Sequence, residues 1–478
     1  MISKFRFITI MILITILLLL TPVFIYYYHL KTGGQLNLII ISIDTLRPDH
    51  MGIYGYNKDT TPNIDKWAKG AFVFTNARTA TPVTYPSFAS LMTGLSPFST
   101  KIVANKRDVL ISKDKDNLVK ILKGNGYYSS AFITTEVLSL LFTNVNEEFN
   151  EYYYLNNPFK DFNKVENYNE YYQEYEKMIN KAVDWLGINR NKKFLFWVHL
   201  MNPHAPYLPP DDLKCKFNKN YCDTIFSKTN TELSSRELRF TNCQENLSEN
   251  DLETYKTLYD GEVASSDKLV KKFFDKLKET GLDKKSIVVL YGDHGEGFDH
   301  NFYFAHPHVL YDSTTRIPLI IKHPLISSGD KIIKPIENTD VLPTILDLLN
   351  IPSKDLRIDG KSFSNVFYYS FISDLVTPEK DFIYAINDQK SKFSVYDGKY
   401  KYIYSQKNSC LYKNQQEELY DIKNDPNEEK NLASDKKDIV DQLKNNLFNY
   451  LNINHLLDQT DSNKKPQENI DKLRGLGY

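Results

Sequence analysis

The chain has 478 residues, 41% hydrophobic and 25% charged, with a formal net charge of −1. That composition is ordinary for a globular protein and allows up to about three domains around large cores. A balance so near neutrality supplies no basic field, which argues against nucleic acid as a partner.

Lys4 and Arg6 precede an almost unbroken apolar stretch from Phe7 to Tyr28, long enough to span a bilayer. It runs into Thr21, Pro22 and Tyr26, Tyr27 and Tyr28, an aromatic belt rather than a small-residue cleavage site. The expectation is an uncleaved anchor over 7–28, with residues 1–6 cytoplasmic and 29–36 a linker. The protein is then single-pass in the cell membrane, its catalytic part extracytoplasmic. A cleaved signal would give the same compartment.

Leu38 to Ile43 is a β-branched run of strand length, apolar on both faces, as in the middle of a parallel sheet. Asp44 falls where that strand ends, the place where open α/β sheets put their chemistry; as plain structure, it would cap the next turn. Thr60 to Asp65 reads as a turn into a short helix. Thr79 to Gly94 has two prolines, then a helix from just past Pro86 that Gly94 closes. Leu118–Gly126 reads as a helix, Tyr127–Thr134 as a strand, and 150–175 as a polar surface insertion.

Phe194 to Leu200 is a third buried strand, followed by the proline-set loop Met201–Pro210. Residues 211–250 hold Cys215, Cys222 and Cys243; with Cys410 they permit two disulfides, Cys215–Cys222 being the first choice. A metal cluster is the rival reading, but no CxxC or histidine stands near. Leu252–Glu279 is helical by period. Ser286–Tyr291 is another buried strand and ends in Gly292, Asp293, His294, Gly295, Glu296. A strand at Ile317–Ile321 and a helix at Asn338–Leu349 follow. Beyond about residue 380 the pattern turns to short strands at Phe382–Ile386, Lys392–Tyr396 and Lys399–Tyr404, the last two joined by the hairpin signal Asp397-Gly398.

Loops after these strands bring together Asp44, His204 and the pair Asp293 and His294, and the two carboxylates with the His294 imidazole suit a divalent cation. The helix that starts just past Pro86, beside the turn at Thr84, aims its free N–H groups and positive dipole end at whatever lies before it. A hydroxyl held there against a cation would be activated to attack a tetrahedral anion. In the plainer reading Thr84 merely caps that helix.

The strings IDTLRPDHMGIYGY, TTPNID and TPVTYPSFASLMTG resemble the opening of the sulfatase family, in the alkaline phosphatase superfamily. HLMNPHAPY, YGDHGEGF, HVLYDSTTRIPLII, ENTDVLPTILDLLNIP, LYDIKNDPNEEKNL and a terminal LRGLGY follow in family order. The resemblance implies an α/β fold: a central mixed sheet flanked by helices over 37–370, then a small antiparallel C-terminal subdomain with a closing helix over 371–478. It implies one divalent metal ion (Mn, Mg or Ca before Zn) on Asp44, Asp293, His294 and Thr84, with Thr84 as nucleophile. His204 resembles the family residue that contacts the substrate anion and can assist the leaving group, and His306 sits where related members place a basic residue over the same anion. Tyr85 and Ser87 would shape the nucleophile turn and touch substrate, and His199, Arg47 and Arg316 would support it.

The departures matter more. Sulfatases carry a C/S-x-P-S-R motif whose first residue becomes formylglycine; here Thr84 takes that place and Phe88 replaces the arginine. Asp44 is followed by Thr45, where many members have a second acid, and no lysine-x-histidine pair stands near Tyr127–Thr135. A threonine with Asp, Asp and His resembles the phosphotransferase and phosphodiesterase side of the superfamily. The sequence-based expectation is therefore a membrane-anchored metal-dependent hydrolase or transferase of a phosphate ester or diester. Its substrate would be a lipid-linked phosphate of the envelope or a sulfated or phosphorylated glycan. The alternatives are a sulfatase of sulfated glycans and an inactive anion-binding relative.

Overall fold

The computed structural model describes residues 36–107, 109–155, 168–221, 247–300, 302–303, 306–326, 329–369, 380–406 and 416–454, with 10, 11, 14 and 15 ahead of them. The expected anchor and linker, 7–28 and 29–36, lie almost wholly outside these residues, as does the boundary expected at 370/371. Among the described residues no helix is long and apolar enough to cross a membrane. The single-pass, extracytoplasmic placement is corrected on that finding: the apolar run at 7–28 has the length of a span, but no spanning helix among the described residues stands behind it.

The core is a mixed sheet built on seven principal strands: β1 (Asn37–Ile43), β2 (Phe72–Arg78), β3 (Tyr128–Ile133), β4 (Glu151–Tyr154), β5 (Phe194–Leu200), β6 (Ser286–Gly292) and β7 (Arg316–Lys322). Their spatial order is β2-β7-β6-β1-β5-β3-β4, and two-residue strands at Lys331–Ile332 and Ile336–Glu337 extend it beside β2. β7 runs antiparallel to both its neighbours; β1, β5, β6, β3 and β4 are parallel. The expected insertion over 150–175 is corrected in part: Glu151–Tyr154 pairs with β3 as the sheet's edge.

β1 sits at the centre because every residue in it is apolar or easily satisfied. Leu38 and Ile40 point to one face, and Ile39, Ile41 and Ile43 to the other. On the first face lie α2 (Thr84–Thr93) and α5 (Val341–Leu348), through Phe88, Met92, Leu342 and Ile345. On the second lie α1 (Pro62–Ala68), α3 (Tyr168–Ile188) and α4 (Glu249–Thr280), through Ile64, Ile179, Tyr259 and Phe273. Asp267 of α4 tethers the start of α1, accepting from the backbone N–H of Ile64 at 2.8 Å.

A second, antiparallel sheet follows: β8 (Ile383–Ile386), β9 (Lys392–Tyr396), β10 (Tyr400–Ser405) and β11 (Glu417–Asp421), covered by α6 (Lys437–Ile453) through Leu443, Leu447 and Leu451. β11 has no strand signal in the sequence, since its alternation is broken by Glu418. That carboxylate is buried because Tyr311 and Tyr420 both donate to it at 2.7 Å. Cys215 is disulfide-bonded, and Cys222, Cys243 and Cys410 lie outside the described residues.

The two sheets are joined by buried charge. Asp312 receives Arg78 Nη1 and Nη2 from β2 and Lys401 Nζ from β10, the last at 2.6 Å. Lys401 also meets Glu428 at 2.5 Å, whose other oxygen accepts the backbone N–H of Asp312. Breaking such a network strands buried charge. Asp312→Ala is expected to cost about 3–5 kcal/mol, read as a lower urea midpoint at an unchanged slope; a loss within about 0.5 kcal/mol would show the network to be dispensable.

Candidate active site

The register of three strands sets the site. Ile43 pairs with Leu200 on one side and with Gly292 on the other, so β1, β5 and β6 end level. Asp44 and Asp293, each one residue past its strand, are thereby brought together. Asp44 N–H donates to the carbonyl of Leu200 at 2.9 Å, and Thr45 N–H to Asp293 Oδ1 at 3.2 Å. Thr45 is held at φ +51°, a conformation that costs a β-branched residue about 1–3 kcal/mol. Tyr259 of α4 helps hold it there, donating to the Thr45 carbonyl at 2.7 Å.

His294 completes a buried triad: one ligand atom each from Asp44, Asp293 and His294 lies within 4.8 Å of the others. Its Nε2 is 3.4 Å from Asp293 Oδ2 and 3.7 Å from Asp44 Oδ1. Its Nδ1 donates to the carbonyl of Gly295 at 3.0 Å, which leaves the lone pair on Nε2, the tautomer of a metal ligand. Asp44 Oδ1 and Oδ2 and Asp293 Oδ2 are buried without a hydrogen-bond partner; His199 Nε2 approaches Asp44 only to 3.5 Å. Carboxylate oxygens left so are costly, and a cation would satisfy all three. The donor set fits a divalent ion.

Electrostatics say the same. Burial and the Asp44 charge push Asp293 well above the ordinary carboxylate range. Burial acts on Asp44 too, but the approach of His199 and the neighbouring imidazoles outweigh it and hold that carboxyl low. Burial drives His294 down to about 4, so its ring is neutral. Two acids are thus forced together, and only a positive charge between them lets both ionise.

Thr84 opens α2, two residues earlier than Pro86 suggests, because proline is tolerated in a first turn where no N–H is needed. Its Oγ1 is 3.2 Å from His294 Nε2. The row of free N–H groups expected at this helix start is not there: Tyr85 N–H donates to Asn105 Oδ1 at 3.0 Å, Pro86 has none, and Ser87 N–H bonds the Val83 carbonyl. What the helix offers is its dipole. Asn105 has no sequence signal; its Nδ2 is buried without a hydrogen-bond partner beside this turn.

Tyr85 and Ser87, expected to touch substrate, both have partners within the protein. The Ser87 hydroxyl donates to the Asp293 carbonyl at 2.7 Å and meets Tyr291 Oη at 2.8 Å, tying α2 to β6. The Tyr85 ring packs edge-on to Phe142, and its hydroxyl bonds Val109 and Ile111. Both side chains build the turn. Phe88 packs edge-on to His199 at 5.0 Å between centroids.

His306 stacks on His294 with centroids 4.0 Å apart, and its Nδ1 donates to the Pro82 carbonyl at 2.7 Å. Burial and the neighbouring imidazoles hold it well below its ordinary value, so it presents a lone pair on Nε2 and no fixed positive charge. His204 faces it at 5.5 Å, its Nδ1 donating to the Ala205 carbonyl at 2.7 Å. Glu296, to which the sequence assigns no role, is buried and raised to about 7 by burial. Arg47 braces the loop, donating to Asp49 and to the Glu296 carbonyl, and Arg316 donates to the Thr75 carbonyl. Gly295 admits no side chain: a Cβ there would run into the Ser313 carbonyl.

Level strand ends carrying two acids and an imidazole, with a hydroxyl at a helix start between them, define an α/β ester-cleaving enzyme of the metal-assisted kind. The Sulfatase family profile matches residues 36–351, and that of the N-sulphoglucosamine sulphohydrolase C-terminal region matches 298–452. The chain belongs to the sulfatase family, in the alkaline phosphatase superfamily. It is 26% identical over 355 residues to an ulvan-active sulfatase of Formosa agariphila, a match covering 69% of this chain and 64% of that protein. It is 24% identical to a delta 4,5-hexuronate-2-O-sulfatase of Bacteroides thetaiotaomicron, over 84% of this chain and 85% of the other. Its fold is similar to the phosphonate monoester hydrolase of Agrobacterium radiobacter, with TM-score 0.68 at 17% identity over 88% of this chain and 96% of that one.

A divalent cation is therefore expected to raise the melting temperature. At a hundredfold excess over Kd the gain is about 2.7 kcal/mol. Protons compete for the raised Asp293, so the gain should shrink as pH falls and vanish in Asp293→Ala. A melting temperature indifferent to Mn²⁺, Mg²⁺ and Ca²⁺ would remove the site.

Proposed function

We propose that the chain hydrolyses sulfate monoesters of glycans, with Thr84 as nucleophile and His204 as the acid that protonates the leaving sugar. The observation that carries this is the Thr84 hydroxyl 3.2 Å from His294 Nε2, inside the buried set of Asp44, Asp293 and His294. The sugar acid named in the hexuronate sulfatase supports the substrate class. A divalent cation held by Asp44, Asp293 and His294, with Mn, Mg or Ca favoured over Zn by the oxygen donors, would supply the charge that makes a hydroxyl nucleophilic. Thr84 Oγ1 attacks sulfur and loses its proton to water; the Oγ1–S bond forms as the ester S–O bond breaks. His204 gives its proton to the departing oxygen. Water then displaces sulfate from Thr84.

Thr84 itself favours a second reading. A plain hydroxyl cannot form the aldehyde hydrate by which formylglycine expels sulfate, whereas a phospho-threonine is cleared by water. Phosphate or phosphonate esters are therefore the rival substrates.

Turnover of an aryl sulfate, an aryl phosphate monoester and a diaryl phosphate with Mn²⁺ decides between them. The sulfate ester is expected to react fastest, and Thr84→Ala to abolish the reaction. Faster phosphate turnover, equally lost in Thr84→Ala, would replace this reading by the second. Silence on all three with cation bound would leave an anion-binding protein.

A further inference from the structure

The loop that carries His204 has no regular structure, so its position must come from elsewhere. Its backbone closes one turn, His204 N–H to the Met201 carbonyl at 2.9 Å. Met201 N–H donates to Thr134 Oγ1 at 2.8 Å, and a further restraint comes from α4, more than fifty residues on. Glu262 of that helix is wholly buried. Its Oε1 accepts the backbone N–H of Leu208 at 2.9 Å, and its Oε2 accepts Asn202 Nδ2. These two anchors bracket His204. Four residues along the same helix face, Ser266 Oγ donates to the Asn202 carbonyl at 2.8 Å. Helix and loop touch closely: a Cβ on Gly261 would meet Pro209 Cγ at 2.8 Å and the Leu213 carbonyl at 3.0 Å.

A buried carboxylate is a poor way to fill space, because leaving water penalises its charge. Here both oxygens are aimed at one loop. We infer that Glu262 is a positioning residue for His204: it touches no substrate, and fixes where the imidazole meets the leaving group. The inference rests on His204 acting as the acid, as proposed above. A displacement of about 1 Å in such a group can cost about 10²-fold in rate.

The test uses the full chain with Mn²⁺ and paired 4-nitrophenyl and phenyl esters of whichever acid is turned over. Nitrophenolate leaves without a proton; phenolate, conjugate base of an acid near pKa 10, needs one far more. His204→Ala is the control and should lower kcat for the phenyl ester by about 10²–10⁴-fold while sparing the nitrophenyl ester. Glu262→Ala should reproduce that selective loss, about 10²-fold on the phenyl ester, with Mn²⁺ affinity by calorimetry unchanged. Glu262→Gln should restore the rate: its oxygen accepts Leu208 N–H, and a turned Asn202 amide accepts from its nitrogen. Equal loss on both esters, or lost Mn²⁺ affinity, would show a merely structural role and overturn the inference. If Glu262→Ala does not melt cooperatively, Ser266→Ala takes its place, with a smaller loss of the same selectivity expected and an unselective one overturning. A His204→Ala variant without selectivity would sink the acid role itself, a failure separable from that of Glu262.

Discussion

Two carboxylates forced into one buried place are the constraint on which the site depends. Strand register leaves no choice, since Ile43 stands level with both Leu200 and Gly292. The acids that follow β1 and β6 must therefore be neighbours. Burial falls on the two unequally, holding the Asp44 carboxyl low and pushing that of Asp293 up. With a cation between them, both ionise and the cost of burying them is offset. Folding and cation binding are thus linked through the same atoms.

Around that pair the protein sets rigid braces in place of reactive groups. Ser87 fixes the start of α2 to the Asp293 carbonyl, Asn105 fixes Tyr85, and Arg47 fixes the Glu296 loop. Asp312 reaches from the end of the catalytic sheet to the second sheet, and the turn after β8 binds the segment behind His306, Asp388 N–H donating to the Pro307 carbonyl at 3.2 Å. Each brace joins residues far apart in the chain. Loops bearing reactive side chains gain their precision from such ties.

What is legible in the sequence follows from range. β1, β5 and β6 are mostly apolar runs of strand length, and a strand end is a local feature, so the order of residues points to Asp44, Asp293, His294 and the loop of His204. The family motifs supply the mixed sheet and the second sheet. They do not say how Tyr85 and Ser87 are held, because a motif says which residues lie near a nucleophile, not which way a hydroxyl bonds. Asn105 and Glu262 carry no pattern at all; their roles exist only once distant segments have met. Length misleads at residues 7–28, where an apolar run suggests a span that the described helices do not provide.

The charge of the site bears on which ester it takes. Asp44 and Asp293, once ionised, are balanced by one divalent cation, and His294 and His306 are neutral. Phe88 stands where sulfatases carry an arginine, and it packs on His199 without contributing charge. Among these groups, attraction for an anion comes from the α2 dipole, worth a partial charge. A sulfate monoester brings one negative charge at neutral pH. A phosphate monoester brings nearly two, its second pKa being about 6, and would meet less compensation here than in a site with arginine and lysine. The residues that depart from the family pattern therefore lean two ways. Thr84 suits phosphorus, while the loss of fixed positive charge suits a singly charged ester, a description that sulfate monoesters and phosphodiesters both meet and phosphate monoesters do not.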